Sequence, residues 1–324
     1  MRSWQTSSTR KWLFRAVLAA LTVLSAALSM GLGSVTLSSA PEAAWRIMVY
    51  IRLPRTCAAL LAGAALASAG AVIQTVLHNP LASPGVIGVN AGAGLLVAVV
   101  CAVAPAAQVY TPFIAFAGAL AAALLVAGLA RLTGASRLTV VLAGVAVSNI
   151  FGAGIDAVVT FVPEALGGVS DYRIGGFSGV TLERLAPAAV MIALSLIVLF
   201  TMTRQMDVLA LGSQTARSLG LNLGAVRFIL LTLAAALSGA AVSFAGLLGF
   251  VGLIVPHAMR RFVGEESGPL MAASVLGGAC FVTLCDTVAR VLFAPFELPV
   301  GVVLAFVGGP FFLWLLFRQR GGRG

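Results

Sequence analysis

The chain contains 324 residues, of which 60% are hydrophobic and only 9% are charged, and its formal net charge is +10. Soluble globular domains carry about 25% charged residues, so this composition excludes a soluble multi-domain enzyme, a disordered protein and a nucleic-acid-binding protein. The long apolar runs do not alternate with polar residues, as the strands of a transmembrane β-barrel do. We therefore predict an all-α polytopic membrane protein that forms a single transmembrane domain over residues 1–324.

Ten apolar segments, separated by charged residues, Gly or Pro, are candidates for membrane-spanning helices. They are residues 12–33, 56–77, 86–104, 112–130, 138–161, 186–203, 226–246, 249–263, 270–292 and 298–317. The seventh and eighth segments are the least clearly divided, because residues 246–252 between them contain neither a charged residue nor Pro. The sequence therefore predicts about ten transmembrane helices.

The basic residues are distributed unevenly between the two sides of these segments. If the N-terminus is cytoplasmic, six of the 20 basic residues lie outside and the other fourteen lie inside. The outer six are Arg46, Arg52, Arg55, Arg173, Arg184 and Arg290. Because cytoplasmic loops are enriched in Lys and Arg, the pattern predicts a multi-pass membrane protein with both termini in the cytoplasm.

The first segment could alternatively be a cleaved signal peptide, since Ser38, Ser39 and Ala40 resemble a cleavage site. The apolar region of a signal peptide has about 7–15 residues, whereas this segment has about 22 and is soon followed by Pro41. We therefore expect it to remain as the first span.

Two octapeptides suggest an internal repeat. GAALASAG at 63–70 and GAAVSFAG at 239–246 agree at five of eight positions, 176 residues apart, and Pro80 meets Pro256 at the same offset. The match could be a coincidence in a chain rich in Gly and Ala. If it is real, the two copies cross the membrane in opposite directions, and such inverted repeats are common in transporters.

Two intervals are too polar to be ordinary turns. Residues 204–228 are predicted to be cytoplasmic, and Gly212, Gly220 and Gly224 divide them into short pieces that suggest two stub helices. Such stubs could dock a soluble partner or could simply anchor the chain at the membrane surface. The second interval, residues 163–187, is predicted to be a periplasmic loop.

Few ionisable residues lie within the predicted spans. Asp156 is in the fifth, and Asp286 and Arg290 are in the ninth, four residues apart, so that they can pair on one helix face. His78 and His257 are the only histidines, and the four cysteines form no CxxC spacing. The sequence offers no metal site, nucleophile–base pair or phosphate-binding loop, which predicts a transport subunit rather than an enzyme.

Several blocks, in order along nearly the whole chain, resemble the FecCD-type permeases, the membrane subunits of ABC importers for iron–siderophore complexes, haem and vitamin B12. The blocks are RLPR at 52–55, NPLASPG at 79–85, GVNAGA at 88–93, LALG at 209–212, ARSLG at 216–220, GFVGLIVPH at 249–257, ELPVG at 297–301 and GPFF at 309–312.

The resemblance implies a fold like that of type II ABC importer permeases, with residues 1–324 as a single transmembrane permease domain. It also implies a homodimer with ten helices in each subunit, located in the bacterial inner membrane. The implied partners are two cytoplasmic ATPase subunits, which bind ATP and Mg, and a periplasmic or lipid-anchored substrate-binding protein, besides membrane lipid. No cofactor bound by this chain and no nucleic acid are expected.

The resemblance also implies roles for particular residues at the two membrane surfaces. Outside, Arg52, Arg55 and Arg290 would receive acidic residues of the binding protein, because guanidinium groups hold carboxylates bidentately. Snorkelling of Arg52 and Arg55 to the interface is the alternative. Inside, the coupling segment at 204–228 would contact the ATPase through Leu211, Gly212, Ala216, Arg217, Leu219 and Gly220.

Further roles follow for the pathway and for the turns between spans. The pathway would be lined by Gln74, Asn90, Ser148 and Asn149, with a cytoplasmic gate near Ser136. The structural turns would contain Asn79, Pro80, Pro84, Gly85, Pro256, His257 and Pro299. We interpret His257 as a hydrogen-bonding residue at a helix end rather than as a metal ligand.

The predicted function is therefore that of an ABC importer permease for an iron(III)–siderophore-type complex, with haem or cobalamin as alternative cargo. A transporter driven by an ion gradient is the alternative of another class, and the scarcity of carboxylates in the spans disfavours it. Pairing with a paralogous permease instead of a second copy stays open.

Overall fold

The computed structural model describes residues 8–33, 44–132 and 137–320, and the regular elements within these ranges are all helical. The α-helices are α1 (Ser8–Gly31), α2 (Ala44–Ile47), α3 (Leu53–Leu77), α4 (Val89–Val103), α5 (Thr111–Leu132), α6 (Arg137–Phe161), α7 (Leu166–Ile174), α8 (Leu182–Thr201), α9 (Thr203–Ala210), α10 (Ser213–Ser218), α11 (Leu223–Ala245), α12 (Val251–Val263), α13 (Ser267–Val291) and α14 (Val300–Arg320). A π-helical turn (Met48–Arg52) joins α2 to α3, and 3₁₀ turns lie at Pro84–Ile87, Pro105–Tyr110 and Pro163–Ala165.

Capping side chains and glycines mark the ends of several of these helices. Thr181 caps α8 by accepting a hydrogen bond from the Arg184 amide, and Asn222 caps α11 by accepting one from the Ala225 amide. Gly246 ends α11 and Gly264 ends α12, both at positive φ, where a residue without Cβ meets no steric penalty. The helix boundaries are therefore set by short polar and glycine signals.

Each of the ten predicted apolar segments coincides with a helix, namely α1, α3, α4, α5, α6, α8, α11, α12, α13 or α14. Among the described residues, six helical stretches are long and apolar enough to cross a membrane, and three shorter ones are also apolar. The helix α12, with 13 residues, is about 20 Å long. It is therefore shorter than the hydrocarbon core of about 30 Å. The prediction of an all-α polytopic membrane protein is confirmed.

The centre of the bundle is built from small residues on α3, which packs against α11, α12 and α13. A methyl group on Gly63 would overlap the carbonyl oxygen of Gly278 on α13, and one on Gly70 would overlap that of Gly252 on α12. In lipid, where apolar burial alone does not drive helices together, such close backbone approach is a main source of association. Gly63 and Gly70, at the two ends of the octapeptide, thus mark the positions where α3 packs closely against its neighbours.

The two copies of the octapeptide lie on antiparallel helices. The start of α3 at Arg55 and the end of α11 at Gly246 line one cavity, so the two helices run in opposite directions, as an inverted repeat requires. The prolines at the same offset differ in local structure, since Pro80 lies in a loop whereas Pro256 lies inside α12.

Helix termini gather at two ends of the bundle, which we call the outer end and the inner end. The outer end holds the starts of α3 and α14, the end of α13 and the helix α7. The inner end holds α9 and α10, which are joined to the end of α3 and the start of α13. The predicted loop at 163–187 contains α7 and the first residues of α8.

Candidate functional site

A buried cluster of charges lies at the outer end, where α3 begins and α13 ends. Asp286 is fully buried, and Arg55 and Arg290 are 6% and 2% exposed. Arg55 donates from Nε and Nη2 to the two oxygens of Asp286 at 3.0–3.2 Å, and Arg290 Nε lies 3.1 Å from Asp286 Oδ2. One carboxylate thereby pairs with two guanidinium groups, and the predicted pairing of Asp286 with Arg290 is confirmed.

Glu297, in the loop before α14, completes the cluster. Its Oε2 accepts a hydrogen bond of 2.6 Å from Arg55 Nη1, and its side chain is 31% exposed. With two arginines and two carboxylates the cluster carries no net charge, which makes its burial tolerable because each ion has a partner. Glu297 is the member of the cluster most accessible to solvent.

Arg52 and Arg290 also tie the end of α1 to this cluster. Arg52 is 3% exposed and donates to the carbonyl oxygens of Met30 and Gly31 at 2.8 and 2.7 Å. Arg290 donates to the Ser29 hydroxyl at 2.7 Å. The ends of α1, α3 and α13 are therefore joined by arginine hydrogen bonds.

This arrangement changes how the three predicted docking arginines are understood. Side chains that receive a partner's carboxylates must be accessible, whereas Arg52, Arg55 and Arg290 are buried and bonded within the chain. The alternative, snorkelling of these side chains to the membrane interface, is not observed either, because Arg52 and Arg55 are buried in the bundle. Their docking role stays a prediction, and the role visible in this structure is to hold helix ends together.

A cavity of about 420 Å³ opens beside the cluster at the outer end. Arg55 and Glu297 form one wall, while Asp171, Tyr172 and Arg184 contribute other polar groups. The Tyr172 hydroxyl donates to the carbonyl oxygen of Asn90 at 3.0 Å, and burial raises the pKa of this phenol well above its ordinary value. Arg55 is thus the one of the three predicted docking arginines that borders the cavity.

The inner end carries the two stub helices that the glycines predicted. The helix α9 ends before Gly212, and α10 lies between Gly212 and Gly220, whose φ angles are 103° and 81°. Ala216 is fully buried, whereas Leu211 and Leu219 are each 62% exposed and Arg217 is exposed. One exposed leucine therefore lies at each end of α10.

Two side chains that the sequence analysis gave no role in coupling anchor these stubs to the bundle. His78 ends α3 in the left-handed conformation with φ 47°, and its Nε2 lies 2.9 Å from the carbonyl oxygen of Leu209 on α9. Asp207 on α9 accepts a 2.7 Å hydrogen bond from the backbone amide of Ser267, the first residue of α13. The position of His78 just before Asn79-Pro80 was the available sequence signal, because a turn there requires a tolerant backbone.

The predicted pathway residues differ in their exposure. Gln74 is 2% exposed, donates to the carbonyl oxygen of Gly252 at 3.1 Å and accepts from Arg260, so it joins α3 to α12. Its expected place at an open pathway is not observed in this conformation. Asn149 is exposed on α6, Ser148 and Asn90 are half-buried, and Ser136 lies outside the described residues.

Most of the predicted turn residues lie in turns, and two do not. The side chain of Asn79 accepts from the Leu81 amide at 3.0 Å, next to Pro80. Pro84 and Gly85 begin a 3₁₀ turn, and Pro299 directly precedes α14. Pro256 and His257 instead lie inside α12, where His257 is edge-on to Phe311 at 6.1 Å, so their prediction as turn residues is wrong. The preceding turn is at Gly246–Phe250, because glycine and the left-handed Phe250 break the helix there.

The fold and these sites define the class of the protein: a multi-pass α-helical membrane protein with a charged outer end and two stub helices at the inner end. Residues 13–318 match the model of the FecCD transport family. The chain belongs to this family, as its sequence blocks predicted.

Individual relatives agree with this assignment over most of their lengths. The chain is 36% identical over 301 residues to the hemin transport system permease protein of Yersinia pestis, covering 91% of this chain and 90% of that one. It is 35% identical over 317 residues to an Fe(3+)-citrate import system permease protein of Bacillus subtilis, covering 94% and 95%. It is 37% identical over 281 residues to the cobalamin import system permease protein of Halobacterium salinarum, covering 86% and 75%.

A solved structure has the same fold. It is described as an inward-facing conformation of a metal-chelate type ABC transporter, and it matches with a TM-score of 0.83 and 28% identity over 94% of this chain and 99% of that one. These relatives are permease subunits of transport systems rather than enzymes.

Proposed function

We propose that this chain is the membrane-spanning permease subunit of an ATP-driven importer and that it translocates an iron(III)–siderophore-type complex. The observation that carries the proposal is the match over residues 13–318 to a family whose members are named as permeases. Iron-containing cargo predominates in the names of the relatives: hemin, Fe(3+)-citrate, iron chelatin and siderophore. Haem and cobalamin are the alternative cargoes within the same family.

Two ATPase subunits, which bind ATP and Mg, would drive transport from the inner end. The exposed Leu211 and Leu219 and the exposed Arg217 support this contact, because an apolar pair flanked by a charge suits insertion into a groove of a soluble protein. The inner end would therefore face the cytoplasm, together with both chain termini. The excess of basic residues predicted for that side supports this orientation.

A second copy of the chain would cover α6. This helix packs on α4 and α5 and leaves Leu142, Val145 and Ile150 exposed. Asn149 is exposed beside Ile150, and an amide that faces lipid lacks hydrogen-bond partners. A homodimer with the pathway between its subunits would shield Asn149 from lipid.

Uptake into proteoliposomes tests the proposed function. The chain is reconstituted with its ATPase and supplied with a ⁵⁵Fe-labelled ferric siderophore on its binding protein. Iron should then cross the membrane only when ATP is present on the side of the ATPase. Uptake that persists without ATP and follows an imposed ion gradient would favour the secondary transporter and overturn the proposal. Labelled haem and cobalamin, run in parallel, decide between the cargoes.

The binding protein would dock at the outer end, with its acidic residues at the mouth of the cavity. Arg184 supports this, because it lines the cavity, is exposed and makes no ion pair within the described part of the chain. Arg184→Glu should weaken capture of the binding protein, whereas Arg46→Glu, at an exposed outer arginine away from the cavity, should not. Equal capture of the binding protein by both variants would show that it does not dock at the cavity.

A further inference from the structure

A buried amide on α3 holds α12 near both of its ends. Gln74, which is 2% exposed, donates from Nε2 to the carbonyl oxygen of Gly252 at 3.1 Å, near the start of α12. Its Oε1 accepts a hydrogen bond from Nη1 of Arg260, in the last turn of α12. Because an amide offers one acceptor oxygen and donor hydrogens on its nitrogen, both halves of the Gln74 side chain are used to join the two helices.

Arg260 extends this link from α12 to the turn that follows it. Its Nε lies 3.2 Å from Oε2 of Glu265, so one guanidinium group binds Gln74 through Nη1 and Glu265 through Nε. The side chain of Arg260 is 14% exposed, whereas that of Glu265 is 85% exposed. The planar guanidinium group has several donors in fixed directions, and it therefore fixes the turn relative to the buried amide.

The same turn holds the stub helix α9. It begins at Gly264, whose φ of 82° ends α12, and it leads to Ser267, the first residue of α13. The backbone amide of Ser267 donates to Asp207 on α9 at 2.7 Å. Since Glu265 and Ser267 are two residues apart, the contact with Arg260 and the contact with α9 belong to one short turn.

These contacts close a ring at the inner end. One side of the ring is direct, because His78 at the end of α3 lies 2.9 Å from the carbonyl oxygen of Leu209 on α9. The other side runs from Asp207 on α9 through the turn at 264–267 to Arg260, and from there to α3. The stub α9 is therefore joined to α3 twice, once directly and once through Arg260.

We propose that Arg260 is a positioning residue for transport, which fixes the turn at 264–267 so that α9 stays attached to α3 and α12 while the ATPase works. The inference rests on the proposed function, because it requires that the ATPase acts at the inner end. Gln74 is the main partner of Arg260, since a hydrogen bond shielded from water is stronger than one in water. The pair with the exposed Glu265 contributes less, because water and salt screen it.

The reconstituted importer, supplied with the ⁵⁵Fe-labelled ferric siderophore on its binding protein, tests the role of Arg260. Arg260→Met removes both contacts and should lower the iron taken up per ATP hydrolysed, while hydrolysis itself continues. Arg260→Lys keeps the charge and hydrogen-bond donors and should restore part of the uptake. Arg261→Met is the matched control, because Arg261 is exposed and lies over the Trp314 ring of α14. It should take up as much iron per ATP as the unmodified chain.

A double variant tests whether Arg260 acts through Gln74. Gln74→Met should reproduce the loss seen in Arg260→Met, and the two changes together should cost little more than either, because they remove the same bond. If Gln74→Met does not fold, Glu265→Gln changes an exposed residue instead. It should lower uptake per ATP by a smaller factor than Arg260→Met does, because it weakens only the screened contact.

Hydrogen exchange of the purified full chain gives a readout that needs neither the ATPase nor cargo. Backbone amides of α9 and of residues 264–267 should exchange about tenfold faster in Arg260→Met than in Arg261→Met. A factor of that size corresponds to the loss of one hydrogen bond to a charged group.

Four outcomes would overturn the inference. They are equal uptake per ATP in Arg260→Met and Arg261→Met, equal exchange in these two variants, additive losses in the double variant, and loss of hydrolysis together with uptake in Arg260→Met. The last outcome would leave Arg260 with a role in folding alone. If the unmodified chain shows no ATP-dependent uptake, the proposed function fails and the transport role with it. The exchange experiment would still show whether Arg260 holds α9.

Discussion

Asp286 shows at the scale of one residue how this chain tolerates charge inside a membrane bundle. Its carboxylate is fully buried and lies within 3.2 Å of both Arg55 and Arg290. Removing one member of a buried ion pair leaves its partner uncompensated, which costs more than the pair contributes. The cluster is therefore a strong structural constraint on the ends of α3 and α13.

We expect Asp286→Ala to lower the free energy of unfolding by about 3–5 kcal/mol, because two buried guanidinium groups lose their shared acceptor. The matched control is Asp156→Ala, since Asp156 pairs with Arg173 where both side chains are mainly exposed, and such a pair contributes about 0–1 kcal/mol. Equilibrium unfolding in bicelles measures both values. Equal losses for the two variants would show that burial of the cluster does not matter.

At the scale of elements, the stub α10 depends on the glycine that follows it. Gly220 has φ 81° and donates its amide to the carbonyl oxygen of Arg217 at 2.9 Å. Proline can adopt neither that angle nor that hydrogen bond, so we expect Gly220→Pro to uncouple ATP hydrolysis from uptake in the reconstituted importer. Gly220→Asn, which tolerates the left-handed region, serves as the control. Normal uptake per ATP in the proline variant would contradict a coupling role.

The helix α9 should loosen when either of its two anchors is removed. His78→Asn keeps a left-handed backbone but shortens the side chain that reaches Leu209, and Asp207→Ala removes the acceptor of the Ser267 amide. We expect faster amide hydrogen exchange in α9 for both variants, measured by mass spectrometry on the purified chain. Asp207→Asn keeps an acceptor oxygen and should exchange like the unmodified chain. Unchanged exchange in His78→Asn and Asp207→Ala would mean that the bundle holds α9 by packing alone.

At the scale of the whole molecule, the two ends of the bundle differ in what they offer. The outer end has a cavity beside a cluster of ion pairs that carries no net charge. The inner end has the two stub helices with their exposed leucines. The helix α3 connects them, because Arg55 lies at its outer start and His78 ends it at the inner side. One continuous helix therefore links the anchored stub α9 to the outer cluster.

Orientation in the membrane can be tested with single cysteines in a cysteine-free background. We expect an impermeant thiol reagent to label Arg184→Cys in right-side-out vesicles and Arg217→Cys only in inverted vesicles. The physical reason is the basic excess on the predicted cytoplasmic side, which resists transfer across the membrane. The opposite labelling pattern would reverse the orientation and remove the proposed ATPase contact at α10.

Local signals in the sequence were sufficient for the ten apolar helices and the two stub helices of this fold. The length of the apolar segments located the helices, since a helix satisfies all backbone hydrogen bonds within one segment in a hydrocarbon environment without water. Gly212 and Gly220 located the ends of α10 because positive φ is nearly a glycine property. The pairing of Asp286 with Arg290 was also predictable, because residues four apart share one face of a helix.

The partners of side chains from distant segments were decided only by tertiary structure. Arg55 meets Asp286 and Glu297 across 231 and 242 residues of sequence, and Gln74 meets Arg260 across 186. Composition and spacing carry no information on such contacts, because they depend on which helix faces pack together. The sequence by itself therefore determined a charge-poor helical membrane protein of the FecCD family. The fold decided that Arg52, Arg55 and Arg290 are buried and bonded within the chain, since in a low-dielectric interior a charge is tolerated only beside groups that compensate it.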